Sequence, residues 1–209
     1  MCGIIGTYRG NIESIMNATS LLSHRGPDDN GVFLDSSSEV ALGHQRLSII
    51  DTSSLGHQPM FSNDGQVVIV FNGEIYNYQI LREDLEKAGV KFLGNSDTEG
   101  LLNLYLSEGK KMLTKLNGIF AFAIWDNRSK SFFVARDALG VKPLYYFLDD
   151  SIFSFSSEIK ALLKLIPKDQ ELDYESINRY LSFLWCPGKG TPLKSVHKLL
   201  PGEAIIVTD

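Results

Sequence analysis

The sequence is poor in cysteine, has no long hydrophobic run, and lacks an excess of positive charge. Its 209 residues include two cysteines, Cys2 and Cys186, too few for a disulfide framework or a four-cysteine zinc site. The most apolar runs, at 67–71 and 118–125, fall far short of the roughly 20 residues of a membrane span. A formal net charge of −5 disfavours nucleic acid and anionic lipid as partners. We therefore expect a cytoplasmic protein with no metal site, no nucleic-acid partner and no membrane partner.

Turn residues divide the chain into short strands and helices that come in separate batches. Apolar runs and alternation predict strands at 2–8, 32–35, 40–44, 66–71, 118–126, 131–136, 144–148, 152–155 and 203–208. Helical spacing and capping residues predict helices at 12–22, 78–88 (with Asn77 as N-cap), 98–106, 158–165 and 174–184. The polar stretch 24–31 is predicted to be a loop. This order favours α+β layers in one domain over alternating βαβ units.

Cys2 is a candidate nucleophile because removal of the initiator methionine would place it at the N-terminus. A free α-amine titrates at roughly pH 8 and can serve as the base for its own residue's thiol. Gly3 and Gly6 indicate close approach of the backbone to a substrate, and the strand that follows would hold the terminus in place. The alternative interpretation is a small buried hydrophobic residue that happens to come second.

Asn72 and Gly73 follow the predicted strand 66–71 and are candidate oxyanion-hole donors. A side-chain amide and a neighbouring backbone N–H can donate to one oxygen, and loss of one such donor costs roughly a hundredfold or more in rate. The alternative is an Asn-Gly turn between a strand and a helix.

Arg46 and Asp97 are candidate charged ligands for a small molecule. Arg46 stands in an otherwise apolar run within 44–51, and its planar guanidinium suits a carboxylate held by two hydrogen bonds. Asp97 suits an ammonium group. A surface salt bridge for Arg46 and a helix N-cap for Asp97 are the alternatives.

Taken together, these residues would suit one ligand. Cys2 would attack an amide carbon, Asn72 and Gly73 would hold its oxygen, and Arg46 and Asp97 would hold a carboxylate and an ammonium. An amide that carries both of those groups is glutamine or asparagine. The sequence pattern does not show that the four positions meet in space.

Seven motifs occur in the order found in one family. They are MCGIIG, HRGPD (24–28), GHQRLSIID (43–51), HQPM (57–60), FNGEIYN (71–77), SDTE (96–99) and RDALGVKPLYY (136–146). The chain closely resembles the glutaminase domain of glutamine-dependent asparagine synthetases, which are class II glutamine amidotransferases. The match runs from residue 1 to about residue 202, and the whole of 1–209 is expected to be this domain.

The resemblance implies a fold and a set of roles. The fold is the αββα sandwich of N-terminal-nucleophile (Ntn) hydrolases, in which two antiparallel sheets lie between helical layers. Cys2 is implied as the nucleophile, with its own amine as the base, and Asn72 and Gly73 as the oxyanion hole. The residues implied to bind glutamine are Arg46, Leu47, Ser48, Ile49, Ile50, Asn72, Gly73, Glu74 and Asp97.

The resemblance also implies a partner that uses the ammonia. In the family, a synthetase domain activates an aspartate-type carboxylate with ATP, and its Ser-Gly-Gly-x-Asp-Ser loop does not occur in this sequence. We therefore expect an excised domain, or a stand-alone subunit that meets its partner in trans. No cofactor is expected here, since ATP and Mg would belong to the missing synthetase domain. The acceptor of the ammonia and homo-oligomerisation stay open.

Two other functions are compatible with the pattern. An Ntn amidase for another acylated substrate would not need both Arg46 and Asp97, so their presence favours glutamine. A non-catalytic glutamine-binding module would result if Met1 were retained, because the nitrogen of Cys2 would then be an amide and no base would be available.

Overall fold

Two stacked antiparallel sheets lie at the centre of residues 1–208, the part of the chain that the computed structural model describes. In spatial order, the first sheet consists of β10 (Val196–Lys198), β8 (Tyr145–Leu148), β9 (Phe153–Ser156), β1 (Gly3–Tyr8), β3 (Val40–Arg46) and β2 (Asp29–Asp35). The second consists of β11 (Ala204–Thr208), β7 (Ser131–Arg136), β6 (Gly118–Asp126), β5 (Val67–Ile75) and β4 (Met60–Phe61). The N-terminal strand β1 is therefore an interior strand, paired on both sides.

Helices cover the outer faces of both sheets. Helices α1 (Ile15–Ser20) and α4 (Ile159–Leu162) contribute to the apolar cluster outside the first sheet. Helices α2 (Tyr78–Lys87) and α3 (Asp97–Glu108) contribute to the cluster outside the second sheet. The helix α5 (Tyr174–Phe183) follows near the end of the chain. The predicted α+β architecture with four αββα layers is confirmed.

The burial of β1 explains why its sequence is mostly apolar. Ile4 packs between the two sheets, in a cluster that includes Trp125 and Phe155. Ile5 points to the other face, where it packs with Ile15 of α1. Successive strand residues face opposite sides, and both sides of β1 are covered, so the buried hydroxyl of Thr7 donates to the carbonyl of Phe153 at 3.2 Å. This burial fixes the backbone that begins immediately after Cys2.

Most predicted elements are found within a few residues of their expected bounds, but the expected break at Asn72 is wrong. Strand β5 continues through Asn72 and Gly73 to Ile75, because β6 pairs with it along its full length. The Asn-Gly turn is thereby excluded. The predicted loop 24–31 also ends early, since β2 begins at Asp29 opposite Arg46.

One of the two capping alternatives is wrong, and the other holds in position. Ser96 is the N-cap of α3, since its hydroxyl accepts the N–H of Glu99 at 3.1 Å, and Asp97 is the first helical residue. Asn77 is the N-cap of α2, as predicted, but its side chain makes no capping hydrogen bond. Its side chain instead donates to the carbonyl of Lys115 at 2.8 Å and accepts from the N–H of Asn117 at 3.0 Å.

The remaining differences are short elements. The predicted helix 12–22 divides into a 3₁₀ turn, Ile12–Ser14, followed by α1. The two-residue β4 and three-residue β10 were not predicted, because such short strands leave no periodic signal. No helix within residues 1–208 is both long and apolar enough to cross a membrane.

Candidate active site

Cys2 lies at the edge of a cavity of about 240 Å³, directly before β1. Its Sγ is 3.4 Å from the backbone nitrogen of Leu47 and 3.7 Å from the carbonyl oxygen of the same residue. Arg25 Nε donates to the carbonyl oxygen of Cys2 at 3.0 Å. The pairing of β1 on both sides and this contact hold the residue against the cavity.

Opposing effects act on the thiol of Cys2. Burial raises its pKa above the ordinary value, because the thiolate is poorly solvated there. The N–H of Leu47, the N-terminal amine and the cations of Arg46 and Lys142 act in the opposite direction. Burial is the larger effect, so the thiol form predominates at neutral pH in the chain that carries Met1.

The glycines beside Cys2 serve packing rather than substrate approach, which corrects the expectation from sequence. A Cβ on Gly3 would lie 2.8 Å from Cβ of Leu22. A Cβ on Gly6 would lie 2.6 Å from atoms of Leu42 and Phe155. Neither position has room for a side chain, because Leu22 occupies the space beside Gly3, and Leu42 and Phe155 occupy the space beside Gly6.

Arg46 is the last residue of β3, and its side chain is largely buried. Its Nη1 donates to the carbonyl of Ser53 at 3.1 Å, and its Nη2 donates to the carbonyl of Asp51. No carboxylate within residues 1–208 pairs with it, so the alternative of a surface salt bridge is wrong. Three of its five N–H donors remain for a ligand, and the residue lines the cavity.

Asn72 presents a buried donor with no protein partner. The residue is 1% exposed, lines the cavity, and its amide Nδ2 has no hydrogen-bond acceptor. A buried polar group without a partner costs about 1–3 kcal/mol, so a ligand oxygen at this place would be stabilised. Gly73 lines the cavity next to it, and a side chain there would come within 2.7 Å of Cα of Phe120.

Asp97 is a buried carboxylate on the opposite element of the cavity, the first turn of α3. Its Oδ2 accepts the backbone N–H of Ile75 at 3.1 Å. Burial raises the pKa of Asp97 to about 6, and the backbone hydrogen bond only partly offsets this effect. The carboxylate is thus ionised at neutral pH and becomes protonated in mild acid.

The structure brings nine of the ten predicted site residues to one cavity. They are Cys2, Arg46, Leu47, Ile49, Ile50, Asn72, Gly73, Glu74 and Asp97. Ser48 does not line it, and its backbone N–H donates instead to Oδ2 of Asp28 at 2.8 Å. Sequence reasoning missed Met1, Asp51, Gly56, Gln58, Phe71, Ser96, Thr98 and Lys142, which also line the cavity.

Gln58 and His44 support the cavity wall from behind. Gln58 Oε1 accepts the N–H of Phe71 at 2.6 Å, and its Nε2 donates to Thr98 Oγ1 at 3.2 Å. The HQPM motif was the available signal for this residue. His44 Nε2 donates to the carbonyl of Phe71 at 3.0 Å, and complete burial lowers the pKa of His44 to about 4. Both side chains therefore fix the backbone that precedes Asn72.

The charges in the cavity match those of an amino acid. Arg46 and Lys142 provide two cations, and Asp51, Glu74 and Asp97 provide three carboxylates. With a thiol and an unpartnered amide donor in the same space, the arrangement can bind a zwitterion whose amide carbonyl meets Cys2. No cluster of three or more His, Cys, Asp or Glu side chains within 1–208 could hold a metal ion.

A family profile and individual relatives of this chain all point to glutamine amidotransferases. The sequence profile of the glutamine amidotransferase domain family matches residues 1–209. Asparagine synthetase [glutamine-hydrolyzing] 1 of Bacillus subtilis is 39% identical over 216 residues, which cover 99% of this chain and 33% of that protein. A putative asparagine synthetase [glutamine-hydrolyzing] 2 of Methanocaldococcus jannaschii is 37% identical over 228 residues, covering 99% of this chain and 44% of that protein. The chain thus spans a third to less than half of these relatives.

A solved structure shows the same fold. The glutamine phosphoribosylpyrophosphate amidotransferase of B. subtilis superposes with a TM-score of 0.70 at 22% identity, covering 100% of this chain and 47% of that chain. All the residues that line the cavity except Gly56 belong to the motifs that carried the family resemblance, and Cys2 lies at the edge of the cavity. Since the family profile spans its entire length, this chain belongs to the glutamine amidotransferase domain family of enzymes.

Proposed function

We propose that this domain hydrolyses L-glutamine to glutamate and ammonia, with Cys2 as the nucleophile. The observation that carries the proposal is the buried amide of Asn72, which has no protein partner and lines the same cavity as the Cys2 thiol. A donor left unsatisfied in the resting protein is suited to an oxygen that arrives with the substrate and gains negative charge during reaction.

The chemistry requires that Met1 be removed, so that Cys2 has a free amine. The amine takes the proton of Sγ, and the thiolate forms a C–S bond to the amide carbon while the carbonyl oxygen becomes an oxyanion. The C–N bond then breaks, and the amine returns the proton to the leaving nitrogen, which departs as ammonia. Water next attacks the thioester, releasing glutamate and restoring the Cys2 thiol. Asn72 and Gly73 would stabilise the oxyanion in both steps.

Substrate recognition would depend on the two opposite charges. The remaining guanidinium donors of Arg46 suit the α-carboxylate, and the ionised carboxylate of Asp97 suits the α-ammonium. The backbone of 47–50 and of Glu74 would complete the binding surface, as the family resemblance suggests. Within 47–50, the neighbours of Ser48 would supply these contacts, because Ser48 itself does not line the cavity.

We further propose that a synthetase-type domain, in cis or in trans, consumes the ammonia. Support comes from relatives named asparagine synthetase, of which this chain covers a third to less than half. ATP and Mg would then belong to that domain. The second candidate function is the supply of ammonia to an acceptor other than an aspartate-type carboxylate. A Gibberella zeae relative named Amidase chry2, 36% identical over 202 residues, favours it.

An exposed apolar surface supports the presence of such a partner. It comprises α5 and the segment after it, together with the loop 138–141. Its large apolar side chains, each 48% to 81% exposed, are Leu139, Val141, Tyr180, Leu181, Phe183, Leu184 and Trp185. Contiguous apolar surface of this kind marks interaction sites. We propose that the ammonia-consuming domain covers this surface. We also propose that the protein works in the cytoplasm.

The test is ammonia release from glutamine by protein whose intact mass shows the loss of one methionine. We expect turnover by the Met1-free protein, no turnover by Cys2→Ala, and no turnover by protein that retains Met1. Asparagine serves as the matched control substrate and should be hydrolysed far more slowly. Full activity in Cys2→Ala, or an inactive Met1-free protein that still binds glutamine, would contradict the proposal, and the latter result would indicate a glutamine-binding module.

A further inference from the structure

Lys142 lines the cavity that holds Cys2, and the proposed reaction gives its ammonium no role. It is the only lysine within residues 1–208 whose side chain is largely buried, at 9% exposed. Its Nζ donates to no acceptor and pairs with no carboxylate in that part of the chain. Nζ is not one of the enclosed atoms, so the stem is buried while the ammonium stays accessible at the cavity.

The loop that carries Lys142 is held by many hydrogen bonds. The carboxylate of Asp137 accepts the N–H groups of Leu139, Val141 and Lys142 at 3.0–3.1 Å. It also accepts the N–H of Phe120 at 3.2 Å, which ties the loop to β6. The backbone on which Lys142 stands is therefore fixed relative to the second sheet.

Arg136 secures the same loop from its other side. Its Nε donates to the carbonyl of Lys142 at 2.6 Å, its Nη2 donates to the carbonyl of Gly140 at 2.6 Å, and its Nη1 donates to Leu199. The acceptors in these contacts are the backbone carbonyls of Lys142, Gly140 and Leu199, so none of them binds the ammonium of Lys142. The loop is built to hold a lysine side chain whose own charge remains available.

The Cys2 thiol is the group in the cavity on which this charge acts. The cation of Lys142 lowers the pKa of Cys2, as do the Arg46 cation and the N-terminal amine. Facing charges from the other elements are the carboxylates of Asp51, Glu74 and Asp97, which line the same cavity. The guanidinium of Arg25 donates to the backbone carbonyl oxygen of Cys2 and not to its thiol.

We propose that Lys142 is a positioning residue for the hydrolytic reaction, whose ammonium stabilises the thiolate of Cys2 when the N-terminal amine takes the thiol proton. The inference rests on the proposed function, since a thiolate is needed only if Cys2 is the nucleophile. No covalent bond to Lys142 forms, and its proton stays on Nζ throughout.

The test is the pH dependence of alkylation of Cys2 by iodoacetamide in Met1-free protein, followed by the mass of the Cys2 peptide so that Cys186 does not interfere. The variants are Lys142→Met, Lys142→Arg and, as matched control, the exposed Lys110→Met. Only the thiolate reacts, so loss of a stabilising cation should move the midpoint to higher pH. We expect about a threefold lower alkylation rate at pH 7 in Lys142→Met, which corresponds to about half a pH unit.

In the same variants, the kcat for glutamine should fall while KM stays within about twofold, and its acidic limb should move to higher pH. Lys142→Arg should restore both properties, and Lys110→Met should match the parent. Superimposable alkylation profiles in folded Lys142→Met would overturn the proposal, as would a raised KM with an unchanged profile, which would make Lys142 a substrate ligand. A shifted profile in a parent protein that lacks glutaminase activity would support Lys142's effect while contradicting the proposed function.

Discussion

Arg25 donates its Nε hydrogen to the carbonyl oxygen of Cys2 at 3.0 Å, and its Nη1 pairs with Glu158 at 3.1 Å. The same Glu158 oxygen contacts His24 Nε2 at 2.7 Å. Cys2, the residue before the first strand, is thus anchored by the 3₁₀ turn Ser23–Arg25 and, through it, by Glu158 at the start of α4. Cys2 lies outside the strand pairing of β1, and the hydrogen bond from Arg25 holds its carbonyl oxygen instead.

Arg25→Met should lower kcat for glutamine about tenfold, because a misplaced nucleophile loses roughly 1.4 kcal/mol of transition-state stabilisation. KM should change little, since Arg25 does not line the cavity. Ammonia release measures both constants. Glu158→Gln is the matched control, because it weakens the ion pair but leaves the bond to Cys2, and it should retain most of kcat. Equal losses in both variants would argue against a specific role for the Cys2 contact.

Asn72→Ala should lower kcat at least about a hundredfold, because it removes one oxyanion donor. The free energy of unfolding should not fall by a comparable amount, since the Nδ2 group has no partner in the resting protein. Steady-state kinetics and chemical denaturation measure the two effects. A variant that loses stability but keeps its kcat would show that Asn72 serves the fold instead.

Gly56→Ala should raise KM for glutamine and leave kcat nearly unchanged. A Cβ at this position would overlap Nη2 of Arg46 and lie 2.8 Å from its Cζ, so the guanidinium must move. The expected rise is about tenfold, the loss of one charge-assisted contact. Gly100→Ala in α3 is the matched control, since a Cβ there meets no atom within 4 Å. An unchanged KM in Gly56→Ala would remove Arg46 from substrate recognition.

Glutamine binding should weaken as the pH falls below about 6. Burial raises the pKa of Asp97 to about 6, so its carboxylate is protonated in mild acid and no longer attracts an ammonium. Asp97→Asn should bind glutamine weakly at every pH and lose this dependence. Because the folded pKa lies above the unfolded one, ionisation of Asp97 destabilises the fold as pH rises from about 4 to 6, and the variant should unfold at a higher temperature at pH 7. Calorimetric titration across pH 5–8 checks the first expectation.

His44 should make the fold sensitive to acid. Its pKa is lowered to about 4 by burial, so the unfolded chain binds a proton more readily than the native one between pH 6.5 and about 4. The stability it provides is therefore complete above about pH 6.5 and is lost as the pH falls through that window. Urea unfolding of His44→Gln should show a smaller loss than the parent over the same range. Parallel curves would mean that another group controls acid unfolding.

Local sequence patterns were enough to predict the longer helices and strands and nine residues of the cavity lining. The run Gly118–Asp126 and the segment Ser131–Arg136 were predicted with the bounds that the structure shows, because their apolar residues are buried on both faces. The family motifs pointed to Cys2, Asn72 and Asp97 without any geometry, because their chemistry is specific enough to be recognised locally.

Contacts between distant parts of the chain select among the local alternatives. Whether Asn72 begins a turn or continues β5 depends on β6, which lies more than forty residues further along the chain. The place of the Asp97 carboxylate beside the site depends on Ile75 at the end of β5, whose N–H it accepts. Lys142 could not be recognised as a largely buried lysine from its neighbours in sequence, because burial results from how the 137–142 loop is tied to β6. Long-range pairing, which local patterns do not encode, selected one option at each position.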